Sequence, residues 1–165
     1  MRRALARLAG LLAAVPLINA TPGIRANVAS AFRALPSCVA AVAVDRTRGI
    51  TITDSSDILG SAYDGDASDD GYIFLRGLAV DEWLILHELG HEVANKFDLQ
   101  KGKFIHALRA DFRGLSSRER EQLAYFRDPH EAFAEPSPLH RPRPKFYPSL
   151  PIRRKTASSL IAMLV

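Results

Sequence analysis

Five consecutive residues, His87-Glu88-Leu89-Gly90-His91, constrain this chain more than any other feature. Two histidines four apart on a helix project the same way, so their imidazoles can reach one metal ion. Glu88 then lies beside such a metal rather than on it, where a carboxylate can take a proton from bound water. The pattern asks for a helix, and the flanking residues supply one. Asp81 is a good N-cap, and Leu86, Leu89, Val93 and Phe97 recur at helical spacing. At roughly 100° per residue, both histidines project away from that apolar stripe. The expected helix therefore runs over residues 81–97, with an apolar back and a polar front. The bland alternative is a solvent-facing histidine pair with a surface glutamate.

A catalytic zinc takes three protein ligands and keeps one position open. His106, His130, His140 and several carboxylates are candidates for the third. The histidine that a metzincin carries six residues after the second one is absent. Phe97 stands there, Ala94 replaces the expected glycine, and Asp98 is one position off. A better source is Glu131-Ala-Phe-Ala-Glu135. Two glutamates four apart on one helical face can serve as ligand and as acceptor for a ligand histidine. His130 is the reserve candidate.

Around these residues the chain reads as α+β, a small mixed or antiparallel sheet followed by a helical half. Residues 24–35 form a helix, with Ile24, Val28, Ala31, Phe32 and Leu35 at helical spacing and Pro36 ending it. The apolar run 38–44, a turn over 45–49 and residues 50–53 predict a β-hairpin. The Asp-, Ser- and Gly-rich stretch 54–71 predicts a loop, and Tyr72–Leu75 a short strand. Asp64-Gly-Asp66 and Asp69-Asp70 invite calcium, but the ligand order of an EF-hand loop is missing and a solvated loop is preferred. Residues 103–112 and 116–126 predict helices, the second opened by Ser116 with Glu119 three later. Asp128, Pro129 and Glu131 mark another helix start. Pro136 and Pro138 end that helix, an extended stretch reaches Pro151, and residues 156–164 suggest a short closing helix.

Composition adds bounds. At 165 residues the chain is one domain's worth, and no internal repeat is visible. The net charge of +4 is unevenly spread. The 54–71 stretch is acidic, whereas Arg141, Arg143, Lys145, Arg153, Arg154 and Lys155 make the tail basic. With no nucleic-acid-binding motif, that tail reads as a solvated surface and no nucleic-acid partner is expected. The single cysteine, Cys38, excludes an intrachain disulfide and a thiolate metal cluster, and it reads as a buried inert thiol. Arg2, Arg3 and the apolar run 8–20 resemble a signal peptide, while Leu5, Leu8 and Leu12 also fit an amphipathic helix. Secreted and cytoplasmic locations both stay open. No stretch has the roughly 20 unbroken apolar residues of a membrane span.

The His87–His91 pair, followed by Tyr125-Phe-Arg-Asp-Pro-His-Glu131-Ala-Phe-Ala-Glu135, resembles the anthrax lethal factor-type metallopeptidase domain. That resemblance spans residues 24–135, and the order of preceding helix, hairpin, loop and edge strand is similar too. It implies a zincin-like fold with Zn2+ held by His87, His91 and Glu131, and Glu135 supporting a ligand. It also implies that Tyr125 hydrogen-bonds the reacting carbonyl oxygen. By the same resemblance, residues 73–75 form an edge strand that aligns an extended substrate. The expected organisation is a leader or N-terminal helix over 1–23, a metallopeptidase domain over 24–135, and a proline-rich basic tail over 136–165. The expected activity is peptide-bond hydrolysis through a zinc-activated water, with Glu88 as base and a protein or peptide as substrate. A zinc-stabilised binding or toxin-associated module without catalysis is the alternative, and a third reading keeps hydrolysis but changes the bond cleaved.

Overall fold

Thr21 and Pro22 open the first helix. The Thr21 hydroxyl accepts from the Ile24 N–H at 3.3 Å, and Pro22 needs no partner at the first helical position. In a computed structural model that describes residues 15–59, 64–78, 80–96 and 103–134, this helix, α1, spans Pro22–Ala34 and buries Val28, Ala31 and Phe32. Leu35 is extended ahead of Pro36, as the pre-proline position requires. The chain divides into two compact units, Met1–Val93 and Ala94–Val165.

The first unit is built on a four-stranded sheet in the order β1-β2-β4-β3. Its strands are β1 (Leu17–Ile18), β2 (Gly49–Ile52), β3 (Gly65–Ala67) and β4 (Tyr72–Leu75). β1 and β4 flank β2 in parallel, and β3 pairs antiparallel with β4. The sheet is thus mixed, within an α+β arrangement. Register aligns Ile50 with Ile73 and Ile52 with Leu75, and all four side chains are buried. Period-two alternation makes that row one face of the sheet. β1 and the buried Val15 lie inside the segment expected as leader or amphipathic helix, whose residues 1–14 lie outside the described residues.

Several expectations are corrected. The run 38–44 is not a strand: α2 spans Ser37–Arg46. Val39, Ala40 and Ala43 are its buried positions, a helical spacing, and alanine is the best helix former. The hairpin exists, but one segment later. It joins β3 and β4 through Ser68-Asp-Asp-Gly71, with Gly71 at φ +93°. The Ser68 N–H donates to the Tyr72 carbonyl at 2.8 Å, and a Cβ on Gly71 would press on the Arg46 carbonyl. The stretch 54–71 is therefore not one loop, since it also holds a helix, α3 (Ser56–Leu59), and β3. Backbone pairing with β4 tolerates the polar side chains there because Asp66 is exposed at the sheet edge. Finally, β4 is not an edge strand. Both its sides are hydrogen-bonded, so residues 73–75 have no free ladder for a substrate.

The helix expected over 81–97 is α4, Glu82–Ala94. Phe97 and Asp98 lie outside the described residues, as do the Cys38 side chain, Glu135, His140 and the whole of 136–165. The second unit contains α5 (Lys103–Arg113), α6 (Ser117–Gln122), a 3-10 turn (Ala124–Arg127) and α7 (Pro129–Ala134). Ile105 and Leu108 of α5, with Ala94, Leu123 and Ala132, form its buried core, and Phe112, Leu115 and Phe133 pack against it. The single helix expected over 116–126 is broken at Leu123, which leaves helical geometry (φ −104°, ψ 16°) while its side chain enters that core. No described helix is long and apolar enough to cross a membrane.

Candidate metal centre

Asp81 caps α4 as its sequence position suggests, accepting from the Leu84 N–H at 2.8 Å. The helix is less one-sided than its pattern predicts. Leu84, Ile85, Leu86 and Leu89 are buried, but so are His87 at 7% exposure and Glu88 at 4%. His87 and Glu88 are thus withdrawn from solvent, whereas His91 is partly exposed. Buried histidine and carboxylate groups need polar partners or an ion, because desolvation without compensation is costly.

The His87 and His91 rings meet edge to face, 4.7 Å between centroids, and their Nε2 atoms stand 3.1 Å apart. Two imidazole nitrogens at ~2.0–2.1 Å from one tetrahedral ion are separated by about 3.3 Å, so the pair fits a shared metal. Trp83, one turn before His87, stacks on its ring at 5.4 Å and 16°. That contact fixes the plane of the first histidine.

Glu131 stands in the first turn of α7. Asp128 sets that turn, accepting from the His130 N–H at 2.8 Å, with its own carbonyl bonded to the Ala132 N–H at 3.0 Å. His87, His91 and Glu131 make up a candidate metal-ligand set. His106 and His130 belong to no such group among the described residues. The aspartates of 64–70 belong to no such group among the described residues. Tyr125 sits in the 3-10 turn, 55% exposed.

Glu88 is held over one end of the sheet. Gly65, the β3 partner of Leu75, comes so close that a Cβ there would stand 2.9 Å from Glu88 Cδ. The absent side chain at 65 makes room for the carboxyl. Nothing in the sequence pattern around Gly65 flags that role.

Glu92 was not singled out by sequence reasoning, yet it is fully buried. Neither carboxylate oxygen has a hydrogen-bond partner among the described residues. Burial pushes its carboxyl up to about 7, against the lowering influence of Arg46, with Asp70 adding to the rise. One signal was available: Glu92 lies three residues after Leu89 and seven after Ile85, on the buried row of the helix.

No protein-family model, curated protein or solved structure matches the chain.

Proposed function

We propose that this chain is a zinc-dependent metallopeptidase, similar to the lethal factor type, that hydrolyses peptide bonds with a metal-activated water. One observation carries the reading: the facing Nε2 atoms of His87 and His91 stand beside a buried Glu88 on the same helix. Two imidazoles and a carboxylate suit several transition metals. A buried carboxylate adjacent to the ligands favours hydrolysis over redox chemistry, because hydrolysis at zinc needs a base for the water proton.

His87, His91 and Glu131 would hold the ion. Bound zinc would lower the pKa of a coordinated water toward ~7 and polarise the substrate carbonyl. Glu88 would act as the base for that water and as the acid for the leaving amine. The stacked Trp83 keeps the His87 ring in its ligating plane. Tyr125 donates its phenol to the carbonyl oxygen as charge develops there. Glu135 supports a ligand histidine, a role that rests on the resemblance alone. An extended peptide would pair with β3, the sheet edge on which Gly65 meets Glu88.

The test is Glu88→Gln beside wild type, read by zinc content and by cleavage of a broad peptide library. Retained zinc with cleavage lost is the expected result. Cleavage surviving in the variant would overturn the mechanism, and wild-type zinc binding without any cleavage would favour a zinc-stabilised binding module.

A further inference from the structure

The second unit carries a feature that zinc hydrolysis does not use. An open cavity of about 420 Å³ has an apolar floor of Ile105, Leu108, Phe112 and Pro129. Arg109, Arg113, Arg120 and Arg127 also line it. No acidic residue is among its described lining groups.

The placement follows from the sequence. Ile105, Arg109 and Arg113 are spaced by four on α5, and Leu108 and Phe112 by four beside them. One helix face therefore presents an apolar row next to a cationic one. Arg120 from α6 and Arg127 from the 3-10 turn add two charges from other elements. Ile105 and Leu108 belong to the core of the unit, so the cavity floor is continuous with packed structure.

None of these four arginines forms an ion pair with a described side chain. Four arginines line one cavity with no carboxylate among its described lining residues, a charge balance that suits a polyanion. A monocarboxylate brings one charge. A phosphate brings about two and several acceptor oxygens, and guanidinium forks match it in shape. The apolar floor then selects a phosphate joined to a hydrophobic body, and the cavity volume is within the range of small-ligand sites.

We propose that this cavity binds an amphipathic phosphate: a phosphomonoester with an apolar substituent, free in solution or presented as a lipid headgroup. The arginines hold the phosphate, and Phe112 with Ile105 and Leu108 covers the substituent. The site is independent of the metal reading and stands or falls separately.

The experiment is calorimetric titration of the full chain with hexyl phosphate and with inorganic phosphate at matched ionic strength. Hexyl phosphate is expected to bind saturably and at least ~10-fold tighter than inorganic phosphate, as burial of several methylenes implies. Arg109→Gln with Arg120→Gln should weaken it by ~10-fold or more, since each removes a charge-assisted hydrogen bond. Arg33→Gln, an exposed arginine of α1 outside the cavity, should leave it unchanged. That control separates the cavity from general attraction to a basic chain. If the double variant loses its helical circular-dichroism signal, Arg127→Gln takes its place. Co-sedimentation with phosphatidic acid vesicles, against phosphatidylcholine alone, separates the sources. Vesicle binding that hexyl phosphate displaces indicates a headgroup, and hexyl phosphate binding without it indicates a soluble ester. Equal affinity for the two phosphates, or binding untouched by the cavity arginine variants, would overturn the proposal.

Discussion

The Gly65 backbone abuts the Glu88 side chain so closely that a methyl group at 65 would stand 2.9 Å from Cδ and 3.0 Å from Cγ of the glutamate. Glu88 is 4% exposed and has little room to swing aside. Gly65→Ala should therefore displace the carboxyl while sparing the histidines. The expected outcome is a fall in kcat of at least ~10-fold, consistent with loss of general-base catalysis, at unchanged zinc content. Steady-state kinetics beside elemental analysis checks it, and an unaltered kcat would remove Glu88 from the base role or Gly65 from its support.

Metal content distinguishes the ligand candidates. Wild type should carry about one zinc per chain, as a three-ligand site implies. Glu131→Ala should lose most of it, whereas His130→Ala should keep it, because His130 belongs to no candidate ligand set among the described residues. The reverse pattern would transfer the third ligand to His130.

Glu92 makes stability depend on pH in a defined direction. Its carboxyl titrates near 7 when folded, against an ordinary value of 4.5. Below about 4.5 both states are protonated and the group costs nothing. Between about 4.5 and 7 the unfolded chain releases the proton while the folded chain keeps it, so stability falls as pH rises. Above 7 the full cost persists, on the order of 3 kcal/mol. Glu92→Gln should flatten that slope and raise stability at pH 8 relative to wild type. Urea unfolding at pH 4.5, 6 and 8 measures it, and parallel pH profiles for the two proteins would contradict it.

The cap of α4 gives a smaller effect. Asp81→Ala removes the acceptor of the Leu84 N–H and should cost ~1 kcal/mol. Thermal unfolding reads the loss. A change within error would mean that burial of Leu84 to Leu89, rather than the cap, holds the start of this helix.

Much of the site was legible because its determinants are local. Asp81 and Asp128 are found capping, Tyr72–Leu75 is the strand the pattern predicts, and the histidine spacing places both rings on one side of α4. Capping, turn geometry and the pitch of a helix depend on residues within a few positions of one another. Asp70-Gly71 is a hairpin signal of the same local kind, set within an acidic stretch whose composition alone suggests a loop.

The run 38–44 was ambiguous for a physical reason. An apolar segment without polar interruptions fits a buried strand or a buried helix equally, and alanine content favoured the helix that formed. The sequence by itself determined the spacing of the two histidines, the helix that carries them and the turns that bound it. Tertiary structure alone decided that β3 rather than β4 is the sheet edge, that Gly65 makes room for Glu88, and that Glu88 and Glu92 are buried. Those outcomes depend on strand neighbours and desolvation set by residues far apart in the chain, and no window of local sequence contains both partners.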